Sequence, residues 1–317
     1  MTGDVWPSVA VVVPNHSRIT ELEETLASID AQDYPGRIHV YLVYRPRPEI
    51  DPVLARLGPG VTAIPSVDEM GRNSLAAKRN LAIAASTEDL VAFVDDDDLW
   101  HPQKLRVQAE VFGSGVEVVA VGSDYITFDG TANWPDPVSG ARILSVYRRS
   151  LSHSFCTSSL LMDGPTIRSL LMDERPHWLG VSDYHLKLRL GAVGSLYRMD
   201  GALVAYRVGH EAMFAQDSRH NMALALSVLA SYDEDRRVVR RLVAVHVLWV
   251  AFYSLIGLGT VSDRAVSRLD EALDGRLFGP ADRILWRLVV VWWRMTHRWT
   301  GPRRIAGWVR RSGLSRG

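Results

Sequence analysis

The chain has a single cysteine, Cys156, among its 317 residues, which rules out an intramolecular disulfide and argues against any cysteine-built metal site. Net charge is also lacking. Its 36 Lys and Arg offset 36 Asp and Glu, so no global basic field draws the chain to nucleic acid. The N-terminus, MTGDVWPSVAVVV, carries an acid and lacks the basic segment of a secretory signal, which leaves the cytoplasm as the default compartment. Internal repeats and low-complexity segments are absent too. Acidic residues stop at Asp282, and beyond it come Arg283, Arg287, Arg294, Arg298, Arg303, Arg304, Arg310, Arg311 and Arg316. What remains is ordinary for a soluble globular protein: 47% hydrophobic and 23% charged residues. The length suits one large domain, alone or with an appendage.

Hydrophobic patterning divides the chain near residue 218. Before it, short apolar runs alternate with helical periodicity. Val9 to Val13 reads as a buried strand closed by Pro14, followed by the turn PNHSR and a helix from Ile19 to Asp30. Ile38 to Tyr44 reads as a second strand, ended by RPRPE; Val53 to Leu57 is a weak helix and Val61 to Ile64 a third strand. A helix over Asn73 to Ala85 delivers the chain to a fourth strand at Val91 to Val94. Such alternation indicates a mostly parallel, doubly wound sheet. Further on, a helix from Pro102 to Val111, a strand from Val116 to Val121 and a hairpin over GSDYITFDGT are expected. Residues 132–150 carry no clear pattern. Phe155 to Met162 suits a strand and Pro165 to Met172 a short helix. Ser182 suits an N-cap for a helix from Asp183 to Leu190, and Gly194 to Tyr206 suits one or two strands.

The most informative stretch is VAFVDDDDLWHPQKL, Val91 to Leu105. A buried strand ends in Asp95, Asp96, Asp97 and Asp98, whose mutual repulsion needs a cation or a donor-rich ligand to answer it. One reading is a solvated acidic turn that caps the next helix. The other is a ligand site, because ligands of open α/β sheets bind at the carboxyl ends of strands. Carboxylates with room for water are also how Mg²⁺ or Mn²⁺ is held against a substrate phosphate.

Four stretches in order resemble family 2 glycosyltransferases of the GT-A fold: VAVVVPNHSR, AAKRNLAI, VAFVDDDDLWHP and WLGVSDYHLKLRL. The resemblance covers roughly residues 8–215. It implies a Rossmann-like, mostly parallel catalytic domain over 1–217, with a helical C-terminal extension over 218–317. It further implies a metal-dependent, inverting transfer of a sugar from a nucleotide-sugar to an acceptor hydroxyl. Pro14, Asn15, His16, Arg18, Tyr44, Arg79, Asn80, Asp95 and Asp96 would contact the nucleotide-sugar, and Asp183 would be the general base. Asp97 would be the main ligand of Mn²⁺ or Mg²⁺, with Asp95, Asp96 or Asp98 as alternatives. His210, in YRVGHE, reads either as a further ligand or as a hydrogen-bonded structural histidine. The acceptor is unspecified. UDP is the family's default nucleotide, but VYLVYRPRP presents Tyr44 and Arg45 where uridine-binding members carry an acid, which leaves dTDP- and GDP-sugars open.

Two other readings stand beside this one. A nucleotidyltransferase on a similar sheet would want a glycine-rich phosphate loop, and PNHSR has no glycine. A non-catalytic nucleotide- or cation-binding module is favoured only by the missing acid. In the C-terminal region, Leu242 to Val261 carries no Asp, Glu, Lys or Arg and reads first as a buried bundle helix or homodimer interface. Ile284 to Trp293 and the Trp- and Arg-rich sequence after it suit either packing on the catalytic domain or peripheral contact with an anionic membrane surface.

Overall fold

The structure, a computed structural model, describes residues 6–67, 74–114, 117–134, 141–143, 156–174 and 182–208. The chain divides into two compact units, Met1–Glu211 and Ala212–Gly317, and the second lies outside the described residues. Readings made for 242–261, for 284 onward and for His210 lie outside them as well.

The first strands are β1 (Val9–Pro14), β2 (Ile38–Tyr44), β3 (Val61–Pro65) and β4 (Leu90–Phe93). Their β-branched and aromatic residues favour extended backbone, and helical crossovers make them pair in parallel in the order β3-β2-β1-β4. The connecting helices are α1 (Thr20–Asp30), α2 (Asp51–Leu54) and α3 (Ser74–Ala85). Then follow β5 (Leu99–Trp100), α4 (Lys104–Phe112), β6 (Val118–Phe128), β7 (Ala141–Ile143) and β8 (Leu161–Asp163). The described part ends with α5 (Gly164–Leu170), α6 (Ser182–Val193) and β9 (Ser195–Arg207).

Beyond β4 the sheet becomes mixed. β8 lies antiparallel between β4 and β6, β9 runs parallel to β6, and β5 and β7 pair antiparallel with β9. The hairpin expected over GSDYITFDGT does not form. Val118 to Phe128 is one strand that pairs with β9 and absorbs register shifts near Gly122 and Asp124 instead of turning. The strand expected from Phe155 shrinks to Leu161–Asp163, because residues Thr157–Ser159 take up a 3₁₀ turn held by Ser159 N–H to Cys156 O (3.1 Å) and Leu160 N–H to Thr157 O (3.1 Å). Asp163 caps α5 by accepting the Thr166 N–H at 2.8 Å.

Period-two alternation gives the sheet two apolar faces. Ala10, Val12, Tyr41, Val43, Val91 and Phe93 pack with Ala82 and Ile83 of α3, Ile167 of α5 and Leu186 and Leu190 of α6. Val9, Val11, Val13, Leu42, Ala92 and Val94 pack with Leu22 and Ile29 of α1 and with Leu105 and Ala109 of α4. Strands buried on both faces read as unbroken apolar runs, which is how β1 and β4 look in the sequence.

A lysine is buried beside this core. Lys104 is fully buried; its Nζ donates to Gln108 Oε1 at 2.7 Å and stands 4.1 Å from the centre of the Trp100 ring. Burial pulls its pKa from the usual 10.5 down to about 7. Between those two values the unfolded chain holds a proton that the folded chain lacks, so this group's contribution to stability improves as pH rises. Below about pH 7 the lysine is charged in both states and its full desolvation cost is present. Urea unfolding of the wild type and Lys104→Met from pH 7 to 9 should differ by about 1.4 kcal/mol more per pH unit in the wild type's favour. Parallel pH profiles would rule out a neutral buried lysine.

Candidate active site

The four aspartates follow β4 at its carboxyl end, in a turn closed by Asp98 N–H to Asp95 O at 3.3 Å. Each meets a different set of protein groups. Asp96 accepts from Asn15 Nδ2 (2.8 Å) and the His16 N–H (3.1 Å), with Arg18 3.5 Å away. Asp97 pairs with Arg18. Asp95 pairs with Arg79, whose guanidinium also lies over Phe93. Asp98 takes a hydrogen bond from the Ser158 hydroxyl and the Arg207 N–H (3.1 Å). Arg207 adds a bond from Nε to the Asp97 carbonyl (2.9 Å), and Thr25 donates to the Asp98 carbonyl (2.9 Å).

These donors do not fully offset the desolvation. Burial pushes Asp96 up to about 6, helped by the charges of Asp97 and Asp95 and opposed by the His16 N–H and Arg18. Burial pushes Asp98 well above the carboxylate range, with Asp95 and Asp97 adding to it. Asp95 is the most open of the turn, its side chain 32% exposed against 6% for Asp96 and 10% for Asp97. Asp98 does not cap the following helix. It is buried, and α4 begins at Lys104 after Gln103, without any side-chain cap.

Three consecutive residues of α3 reach three different places, since successive side chains on a helix diverge by about 100°. Lys78 donates to the Asn15 carbonyl (2.8 Å) and so fixes the β1 turn. Arg79 goes to Asp95. Asn80 donates to the Met172 carbonyl and Glu174 (2.8 Å each) and accepts from the Met172 N–H (2.7 Å). Its amide is thus spent on the segment after α5, where Leu171 has a positive φ of 52° and Arg189 forks onto the carbonyls of Leu170 and Leu171 (2.7 Å each).

Asp183, in the first turn of α6, accepts from Thr157 Oγ1 at 3.0 Å and lies 3.6 Å from Lys187 Nζ. Thr157 is the neighbour of Ser158, so the two carboxylate groups are reached from adjacent residues. Tyr206 precedes Arg207 on β9, and its hydroxyl is pushed up to about 12, first by burial and then by Asp98, Asp95 and Asp97. Cys156 packs against the apolar core, and burial pushes its thiol pKa up, as suits a small hydrophobe and not a nucleophile.

Of the residues named from sequence, Asn15, His16, Arg18, Arg79 and the aspartates come together, and Pro14 leads into them as the last residue of β1. Tyr44 instead sits partly buried against the core at the end of β2. Arg47, not Arg45, reaches the β1 turn, bonding the His16 carbonyl and Asn15 Oδ1 (3.1 Å). Sequence reasoning missed Arg47, Lys78, Ser158 and Arg207. Arg47, Lys78 and Arg207 lie inside the stretches VYLVYRPRP, AAKRNLAI and YRVGHE without any mark that sets them apart from their neighbours, and Ser158 lies in a segment expected to be a plain strand.

Among the described residues no three His, Cys, Asp or Glu side chains form a ready metal cluster. The donor set nonetheless fits a hard divalent ion. Mg²⁺ is commonly held by one or two carboxylates plus substrate phosphates, and Asp95 and Asp97 are two carboxylates at the end of a strand, each paired with an arginine. No helix among the described residues is long and apolar enough to cross a membrane.

Residues 7–159 match the family model described as "Glycosyltransferase like family 2". They form a family 2-like glycosyltransferase domain. An N-acetylglucosaminyltransferase of Mesorhizobium japonicum (strain LMG 29417 / CECT 9101 / MAFF 303099) is 30% identical over 131 residues, 38% of this chain and 31% of that protein. The matched part is thus under a third of that relative's length. The structure of S. aureus TarS 1-349 in complex with UDP superposes with a TM-score of 0.65 at 15% identity, covering 90% of this chain and 87% of TarS 1-349. The complex with UDP-GlcNAc gives 0.58 at 13% identity, covering 84% and 79%. At such identities the likeness is one of fold, and that fold is GT-A. The family 2-like domain carries the β1 turn, α3, the aspartates and the 3₁₀ turn; Asp183 and β9 follow it in the chain.

Asn80 sits within that domain yet spends its amide on main-chain and Glu174 contacts. Asn80→Ala should therefore cost about 2–3 kcal/mol of stability in urea unfolding, since it strands the buried Met172 N–H. A loss below about 0.5 kcal/mol would remove Asn80 from that structural role.

Proposed function

We propose that the protein is a metal-dependent, inverting glycosyltransferase that moves a sugar from a UDP-sugar to an acceptor hydroxyl. The observation that carries this reading is the aspartate turn at the end of β4, answered by Arg18, Arg79 and Arg207 and joined through Thr157 and Ser158 to Asp183. Such a turn suits a diphosphate, whose charge the arginines can take up as the carboxylates engage a cation. The UDP donor draws support from the TarS complexes with UDP and UDP-GlcNAc, and the relative named an N-acetylglucosaminyltransferase favours a GlcNAc-type sugar.

Asp95 and Asp97 would hold Mn²⁺ or Mg²⁺, which supplies electrophilic neutralisation of the leaving diphosphate. Arg79 and Arg18, released from the carboxylates, would bind phosphate oxygens. Asp183 acts as general base: it takes the acceptor hydroxyl proton as that oxygen bonds to the anomeric carbon. The carbon–oxygen bond to the diphosphate breaks with its electron pair going to the nucleotide. Attack opposite the leaving group inverts the anomeric centre. Asp183 stands in the first turn of α6 with Lys187 Nζ 3.6 Å away.

A panel of UDP-, dTDP- and GDP-sugars with Mn²⁺ tests this. Hydrolysis or transfer is expected with a UDP-sugar, and Asp183→Asn should lower kcat by at least about 100-fold while UDP affinity changes by less than about threefold. No binding and no turnover with any nucleotide-sugar would refute the reading. Full activity in Asp183→Asn would remove that residue from the mechanism.

A further inference from the structure

Residues Thr157–Ser159 form a single 3₁₀ turn, buried throughout, with a hydroxyl at every position. An inert buried turn needs no three hydroxyls, because each must find a partner or cost free energy. Here each finds one, and the partners are telling. Ser158 Oγ accepts the Asp95 N–H at 3.0 Å and donates to the Asp98 carboxylate, so a single oxygen grips the first and last members of the aspartate turn. Thr157 Oγ1 donates to Asp183 at 3.0 Å. Ser159 Oγ closes the turn itself, donating to the Cys156 carbonyl (2.9 Å) and accepting the Ser123 N–H (3.2 Å).

The turn is also bolted from outside. Trp100 Nε1 donates to the Ser158 carbonyl (2.9 Å) and Gln108 Nε2 to the Ser159 carbonyl (2.8 Å), while the Phe93 N–H reaches the Leu160 carbonyl (3.2 Å). Gln108 is in turn held by the buried Lys104. Three neighbouring elements, β4, β5 and α4, therefore fix a turn whose two leading side chains point at different carboxylates.

We propose that this turn is the positioning element that sets Asp183 against the aspartate turn, with Thr157 orienting Asp183 and Ser158 holding the aspartates. The proposal deepens the glycosyltransferase reading above and rests on it. In 3₁₀ geometry adjacent side chains diverge by about 120°, so one rigid turn can serve both carboxylate groups at once. Thr157 and Ser158 touch no reacting atom; they act through the residues they hold, and their loss should divide by function. Removing the Thr157 hydroxyl frees Asp183 and slows the chemical step. Removing the Ser158 hydroxyl loosens the aspartates and weakens the donor complex.

The full-length protein, UDP as binding probe and Mn²⁺-dependent UDP-GlcNAc hydrolysis as readout separate these effects. Thr157→Val, close to isosteric, should lower kcat about tenfold or more with UDP affinity changed by less than about threefold, and Thr157→Ser should restore kcat to within about threefold. Ser158→Ala should weaken UDP binding in Mn²⁺ by about tenfold. Wild-type kcat in Thr157→Val, or equal losses in Thr157→Val and Thr157→Ser, would overturn the proposal. So would an unchanged UDP affinity in Ser158→Ala. If the wild type neither binds UDP nor hydrolyses UDP-GlcNAc, the donor reading fails. The Thr157–Asp183 link is then still decided by a Thr157→Val/Asp183→Asn double-mutant cycle in urea unfolding: non-additive losses keep it, additive losses overturn it.

Discussion

Packing four adjacent carboxylates against the end of a buried strand is the constraint on which the rest of this structure depends. Desolvation penalises each charge and each neighbour adds repulsion, so the turn persists only if positive charge and hydrogen-bond donors are brought to it. They come from the β1 turn (Asn15, the His16 N–H, Arg18), from α3 (Arg79), from the 3₁₀ turn (Ser158) and from β9 (Arg207). The donors are themselves held: Lys78 and Arg47 pin the β1 turn, and Phe128 underlies the Arg207 guanidinium at 4.5 Å. A chain with no net charge can therefore carry a strongly charged site, because the compensation is local. Truncating one of these cations leaves a buried carboxylate unanswered, which is costlier than losing the attraction alone.

Much of this was legible in the sequence. β1 and β4 announce themselves as apolar runs because both of their faces are covered, and the helices between the first strands show the expected period. The aspartates could be singled out because they close a buried strand, while Arg79, Asn15 and Arg18 could be named only through the resemblance to family 2 glycosyltransferases. What could not be read depends on contacts between distant segments. Val118 to Phe128 looks like a strand and a hairpin because Gly122 and the FDG sequence are turn formers. Pairing with β9 overrides them, as tertiary context commonly overrides local preference.

The same limit applies within the site. Four identical aspartates carry no sequence mark of their separate tasks; only the partners distinguish them. Asp96 belongs to the β1 turn, Asp98 to Ser158 and Arg207, Asp95 to Arg79 and Asp97 to Arg18. Asn80 looks like a ligand beside Arg79, yet a helix turn of about 100° per residue sends it to Met172 and Glu174. Identity of neighbours in sequence says little about identity of task on a helix.

The order in which the chain supplies these donors has a consequence for assembly. Only Arg79 is near in sequence, 16 residues before Asp95; Asn15 and Arg18 lie 81 and 79 residues before their aspartates, and Ser158 and Arg207 arrive 60 and 109 residues after Asp98. Closing such loops costs entropy that local contacts do not repay, so contacts of this separation tend to form late. Until β9 pairs with β5 and β6, Asp98 lacks its N–H donor from Arg207 and the Asp97 carbonyl lacks its guanidinium. The aspartate turn is then more strongly repulsive than in the finished fold. On the proposed metal-dependent reading a divalent cation there would offset that repulsion, and its affinity would draw on the same excess negative charge as closure of the last strand.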